Sequence, residues 1–131
     1  MIEVVAVALI DRDGRILLQQ RRADRQHGGL WEFPGGKVEP RETEVSALIR
    51  EVEEELGIAV EPDSLVWLTQ AEDPASGLVI SLYTCRSWSG APQCLDAAAI
   101  AWFSPDYFMQ LPMPPLDVPL AAALKTMLTK G

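Results

Sequence analysis

The sequence predicts one α/β domain in which a mixed β-sheet carries helices on its faces. Three observations predict it. The chain has 131 residues, the length of a single domain with a real core. Hydrophobic residues make up 48% and charged residues 23%, which is a globular rather than a disordered composition. Strand-like runs stand before, between and after two helix-like runs, a pattern that favours layered packing.

In chain order, residues 4–10 and 15–20 are apolar runs flanking Asp11-Arg12-Asp13-Gly14, and an Asp-Gly turn between such runs reads as a β-hairpin. Residues 23–30 are polar, hold Gly28-Gly29 and read as a loop. Trp31-Glu32-Phe33 reads as a short strand ended by Pro34-Gly35-Gly36. Residues 43–56 have helical periodicity, with Thr43 as cap and Gly57 just past the end. Residues 66–71, 78–86 and 100–103 read as strands, the second alternating at Val79, Ser81 and Tyr83. Five of the ten prolines fall from Pro105 to Pro119, which makes residues 111–119 stiff, and residues 120–128 read as a closing helix.

Net charge is −8, which argues against a nucleic-acid polymer as partner, since phosphate backbones are held by clustered Lys and Arg. Residues 1–36 carry five acids and five bases, whereas residues 37–61 carry eight Glu against Lys37, Arg41 and Arg50. The negative charge is thus concentrated in one segment. The longest N-terminal apolar run, residues 4–10, is far short of the ~20 residues of a membrane span, and it lacks a basic leader. Cys85 and Cys94 form neither a CxxC knuckle nor a disulfide framework, so two thiols in a reducing cytoplasm are expected.

On a helical wheel Val45, Leu48, Ile49, Val52 and Leu56 share one sector, the expected buried stripe. Glu51, Glu54 and Glu55 share a flanking sector at i, i+3 and i+4. Like charges so placed cost a few tenths of a kcal/mol per pair. Two readings compete: a solvated acidic face, or a site for a hard divalent cation such as Mg²⁺ or Mn²⁺.

A wider pattern bears on that choice. From Gly36 the chain reads five residues, Glu42, seven residues, Arg50-Glu51, Val52, Glu53, Glu54-Glu55, Leu56, Gly57, Ile58. This resembles the Nudix box, G-x5-E-x7-R-E-U-x-E-E-x-G-U with U aliphatic, at every fixed position. A chance match is on the order of one in ten million. The stretch from Trp31 to Glu39 resembles the MutT branch in particular, with weaker similarity over nearly the whole chain. The resemblance implies a Nudix-type α/β/α sandwich and hydrolysis of nucleoside diphosphate-linked compounds. For the MutT branch that means a nucleoside triphosphate giving monophosphate and pyrophosphate. It implies Mg²⁺, with Mn²⁺ as the alternative, held by Glu51, Glu54, Glu55 and the Gly36 carbonyl. Glu51 is the candidate for orienting the attacking water, with Arg50 and Glu54 in the same catalytic group. Glu42 is structural, paired with Arg50. Asp96 follows a G-x-P-x segment, Gly90-Ala91-Pro92-Gln93, after which the family often has another acidic ligand; MutT has Glu there, and the shorter Asp favours contact through water.

Outside the box, Arg21, Arg22 and Lys37 are placed to neutralise phosphate oxygens or to be plain surface charges, and Arg22 is the preferred candidate. His27, the one histidine, is either a ligand contact or an exposed loop residue. Phe33 belongs with the substrate-binding residues, and Tyr83 and Trp31 are stacking surfaces or core. Pro114-Pro115-Leu116-Asp117-Val118-Pro119 resembles the family's base-reading segment, with Asp117 where MutT has Asn. An ionised carboxylate only accepts hydrogen bonds, which matches the N1–H and N2–H₂ of guanine and 8-oxoguanine. Cytosine, an amino donor beside an N3 acceptor, is a poorer match unless Asp117 is protonated or water intervenes. Asp117 is alternatively the cap of the last helix.

The leading expectation is therefore an 8-oxo-dGTP pyrophosphohydrolase acting as a monomer or weak dimer. A CTP-type pyrimidine nucleotide hydrolase is the runner-up, and a catalytically silent nucleotide sensor is the alternative of another class.

Overall fold

The computed structural model describes residues 1–130. Among these residues are seven strands and two α-helices, besides two short 3-10 turns: β1 (Ile2–Leu9), β2 (Ile16–Gln20), β3 (Trp31–Glu32), β4 (Gly35–Lys37), α1 (Glu44–Leu56), β5 (Leu65–Asp73), β6 (Leu78–Cys85), β7 (Ala99–Phe103) and α2 (Asp117–Lys130). One sheet has the order β4-β1-β6-β5 and is mixed, β1 and β6 being parallel and the other pairs antiparallel. The second sheet has the order β3-β2-β7 and is antiparallel.

The near-continuous apolar run of β1 explains its central place. Val5, Val7 and Leu9 pack with Leu48, Val52 and Leu56 of α1, while Ala6, Ala8 and Ile10 pack with Leu120, Ala121 and Leu124 of α2. Alternate residues of one strand thus feed two cores, as expected for a strand covered on both faces. The sandwich of helix, sheet and helix expected from the sequence is the observed architecture.

The β-hairpin is not. β1 and β2 lie in different sheets and meet only at the Ile10–Ile16 bridge and the Asp11 N–H to Arg15 C=O bond of 3.0 Å. Asp11 shapes this turn by accepting from the Asp13 and Arg15 N–H groups and the Arg15 guanidinium. Beyond the turn the strands diverge into separate ladders, β1 pairing with β6 over eight residues and β2 with β7 over five.

β4 also departs from the sequence reading, which ends the strand at Pro34-Gly35-Gly36. The two glycines form a strand because the backbones come unusually close. A Cβ on Gly35 would collide with Val5 O, and one on Gly36 would collide with the Glu51 carboxyl.

Helix α1 follows its sequence signals. Thr43 and Ser46 form a reciprocal capping box, Thr43 Oγ1 accepting from Ser46 N at 3.0 Å and Ser46 Oγ from Thr43 N at 3.0 Å. Gly57 ends it in the left-handed conformation, φ 68°, where a side chain is disfavoured. Helix α2 begins at Asp117, three residues earlier than expected. Among the described residues, no helix is long and apolar enough to cross a membrane.

Candidate functional site

Packing of α1 against β1 and β4 sets Glu51 over Gly36 and tucks Glu55 beside β2. A cleft of about 180 Å³ opens there, lined by Gln19, Arg21, Arg22, Arg25, Glu32, Gly35, Glu51, Glu55 and Asp96 among others. Arg21, Glu32 and Gly35 also line a second cavity with Phe33, Gly36, Lys37, Ile80 and Asp117. That cavity shares Val4, Ile80 and Asp117 with a wider chamber of about 530 Å³, also walled by His27 and Pro114 to Leu116. The acidic cleft and the apolar chamber therefore adjoin, with Arg21 and Glu32 lining both.

Asp96 reaches the acidic end because its loop caps the last turn of α1. Gln93 N–H donates to Leu56 C=O at 2.8 Å and Leu95 N–H to Glu55 C=O at 3.2 Å. Glu55 is 7% exposed and accepts from Gln19 Nε2 at 2.7 Å, while its Oε2 is buried without a partner. Burial, reinforced by Glu51, pushes the Glu55 carboxyl far above the ordinary carboxylate range.

Glu51 and Glu54 are partly neutralised from within the chain. Arg50 Nη1 donates to Glu51 Oε1 at 2.9 Å and approaches Glu54 Oε2 at 3.5 Å. The same guanidinium grips Glu42 with Nε and Nη2 at 2.8 and 2.9 Å and donates to Lys37 O at 3.1 Å. These bonds, with the Glu39 N–H, hold Glu42 at about 2. The pairing of Glu42 with Arg50 is as expected. The cage of Glu51, Glu54 and Glu55 is not assembled: Glu54 stands at the exposed edge beside Arg50, and no ready-made cluster of three acidic, His or Cys ligands is present among the described residues. The repulsion that the helix spacing implies is relieved here by Arg50.

The residues at the cleft nevertheless fit a hard divalent cation. Glu51, Glu55 and Asp96 supply oxygen donors, and the orphaned Glu55 Oε2 is an acceptor that lacks only a partner. The glycine at position 36 leaves the Glu51 carboxyl room that any side chain would fill.

Among the cations, Arg21 is held by Glu32 at 2.8 Å and by Gln26 O at 2.7 Å. Arg22, the preferred phosphate contact, lines the cleft but forks onto Asp24 at 3.1–3.2 Å. Arg25 lines the same cleft with no ion-pair partner among the described residues, and nothing in its sequence context singled it out. Gln19 was missed too, because an amide in an apolar strand carries no motif.

At the other end, Asp117 is 7% exposed and its Oδ2 accepts from the Phe33 N–H at 3.1 Å. The carboxylate thus ties α2 to the strand rather than capping its own helix. Burial raises this carboxyl to about 7; the Phe33 hydrogen bond opposes the rise, and nearby Glu32 adds to it. Phe33 is buried in the α2 core and lines the second cavity, and Lys37 and His27 line the chamber. Tyr83 does not: it packs in the α1 core and donates its hydroxyl to Glu44 Oε1 at 2.8 Å, which with burial holds it at about 12. The stacking expectation fails for Tyr83 because β6 turns that side chain towards α1. Trp31 packs edge-on to Phe103, with ring centroids 5.1 Å apart, away from the groove walls.

Comparison with known proteins agrees with this geometry. A NUDIX domain family model matches residues 2–124. The chain is 46% identical over 125 residues to the CTP pyrophosphohydrolase of Escherichia coli K12, covering 94% of this chain and 90% of that one. It is 31% identical over 122 residues to the 8-oxo-dGTP diphosphatase of the same organism, covering 92% and 95%. A MutT structure from work on Aliivibrio salmonicida and Vibrio cholerae matches with a TM-score of 0.86 at 26% identity, covering 96% and 98%. The chain belongs to the NUDIX domain family and is a MutT-like Nudix hydrolase.

Proposed function

We propose that this hydrolase cleaves nucleoside triphosphates to the monophosphate and pyrophosphate with Mg²⁺ or Mn²⁺, and that cytosine nucleotides are its first substrates. The observation that carries the reading is that the cleft of Glu51, Glu55 and Asp96 adjoins the cavities that hold the buried carboxyl of Asp117, with Arg21 and Glu32 in the walls of all. A polyphosphate and a base need those two environments side by side.

Glu51, Glu55 and the Gly36 carbonyl would hold the cation, with Glu54 swinging in from Arg50 and Asp96 contributing through water. A bound divalent cation supplies neutralising charge for the phosphate oxygens and electrophilic activation at phosphorus. Glu51 orients the attacking water, and Arg50, fixed by Glu42, sets the position of Glu51. Arg22 and Arg25 take phosphate oxygens, Arg25 without first leaving a carboxylate. Lys37, His27 and Phe33 line the path of the nucleoside.

The base assignment turns on Asp117. The sequence alone leans towards guanine, on the premise of an ionised carboxylate. Burial favours the neutral acid, and the Phe33 N–H on Oδ2 makes Oδ1 the oxygen that carries the proton. A hydroxyl at Oδ1 and an acceptor at Oδ2 match the N3 acceptor and N4 amino donor of cytosine. The 46% identity to a CTP pyrophosphohydrolase supports the same direction. The 8-oxo-dGTP reading stays as the second, because the ionised form of the same carboxyl suits it and the 31% identical relative bears that activity.

A competitive panel of CTP, 8-oxo-dGTP, dGTP and ADP-ribose with Mg²⁺ near pH 6.5 tests the proposal. CMP and pyrophosphate as the leading products are expected. Preference for 8-oxo-dGTP would defeat the cytosine assignment, and preference for ADP-ribose, or no turnover of any triphosphate, would defeat the proposal as a whole.

A further inference from the structure

The strand β2 reads Ile16-Leu17-Leu18-Gln19-Gln20, and its alternation puts position 19 on the side of Leu17, which packs with α1. An apolar residue would continue that face. Gln19 stands there instead, 4% exposed. A polar residue that breaks a buried pattern without local compensation marks a functional constraint.

The orphaned atoms sharpen this. Among the described residues, the buried side-chain polar atoms without hydrogen-bond partners are Gln19 Oε1 and Glu55 Oε2. They belong to one pair: Gln19 Nε2 donates to Glu55 Oε1 at 2.7 Å and approaches Glu32 Oε2 at 3.4 Å. Both residues line the acidic cleft. A buried polar atom without a partner forfeits its hydration, and native chains rarely leave one so. Two on one bonded pair, in one cleft, outline a missing ligand that is a cation for the carboxylate and a hydrogen-bond donor for the amide carbonyl.

We propose that Gln19 is a positioning residue whose amide N–H pins Glu55 Oε1, so that Oε2 faces the divalent cation and Gln19 Oε1 accepts a hydrogen bond from the ligand in the cleft. The proposal rests on the divalent-cation reading of this site. Gln19 acts through Glu55, as outer-shell partners orient the groups that touch a metal. The bond also leaves Glu55 one orientation to offer, so less ordering is needed when the cation arrives.

The test measures Mn²⁺ affinity from the paramagnetic resonance of free Mn²⁺, beside the thermal midpoint of the metal-free protein. Gln19→Met keeps the length of the side chain and removes the donor. Its Mn²⁺ Kd is expected to rise roughly 10-fold or more, the scale of outer-shell changes, while the midpoint shifts little because the lost bond to Glu55 Oε1 is offset by removal of the orphaned carbonyl. In a Glu55→Gln background the same substitution is expected to leave Mn²⁺ affinity unchanged, since its target is absent. Gln19→Asn, whose amide is one methylene short of Glu55, carries the same expectations and serves if Met is not tolerated. Equal Mn²⁺ affinity in the variants and the unaltered protein would overturn the proposal. So would a loss that tracks the midpoint and persists in the Glu55→Gln background. If the unaltered protein takes up no Mn²⁺, the divalent-cation reading itself fails, and this proposal with it.

Discussion

Base choice should depend on pH through Asp117. Its carboxyl is buried against Phe33 and raised to about 7, with Glu32 and Arg21 as the charges that act on it. The neutral fraction is then about 0.9 at pH 6 and about 0.1 at pH 8. Specificity constants report the free enzyme, and ionisations common to both substrates cancel in their ratio. kcat/KM for CTP should fall about 10-fold over that range relative to shared effects, and that for 8-oxo-dGTP should rise by as much. The ratio CTP to 8-oxo-dGTP therefore drops about 100-fold between pH 6 and pH 8. The assay is initial-rate competition between the two nucleotides, read by chromatography of the monophosphates. Asp117→Asn should flatten the dependence, whereas His27→Gln, which removes the imidazole lining the same chamber, should keep it. Stability carries the same signature. A carboxyl raised on folding contributes fully below its unfolded value, 3.8, and the contribution is lost as pH rises through about 7. A gap of about three pH units corresponds to at most about 4 kcal/mol, absent in Asp117→Asn. A ratio that stays flat from pH 6 to pH 8 would refute the reasoning.

Three further outcomes follow from the geometry. Arg50→Met removes charged hydrogen bonds to Glu42 and Glu51 and should cost about 2–3 kcal/mol in urea unfolding of the metal-free protein. Saturating Mn²⁺ should shrink that loss, since a cation replaces the missing charge, and an equal loss with and without Mn²⁺ contradicts this. Gly35→Ala meets backbone at Val5 and should prevent stable folding, read by circular dichroism. Gly36→Ala meets only the movable Glu51 carboxyl, so it should fold but turn over about 100-fold more slowly. Leu48→Ala, fully buried under β1, should cost about 3 kcal/mol, against under about 0.5 kcal/mol for exposed Val66→Ala, both measured by denaturant midpoints.

Much of this fold is legible along the chain because its signals are local. Thr43 as cap and Gly57 bound α1, and the alternation of β6 is visible at Val79, Ser81 and Tyr83. What is illegible depends on partners distant in sequence. The Asp-Gly turn between β1 and β2 is present, yet nothing local reveals that β6 and β7 outcompete a hairpin. β4 escapes notice because Gly35-Gly36 reads as a breaker until the close approach of Val5 and Glu51 explains it. The wheel groups Glu51, Glu54 and Glu55 as equals, but tertiary packing separates them into one held by Arg50, one exposed and one buried. Gln19 and Arg25 carry no motif, and only the cleft draws them together.

The most direct test of the account is a crystal structure with Mn²⁺ and a non-cleavable CTP analogue. The account predicts the ion on oxygens of Glu51 and Glu55, with the base edge against Asp117. An ion bound elsewhere, or a base that leaves Asp117 untouched while the phosphates lie outside the Arg22–Arg25 cleft, would contradict it.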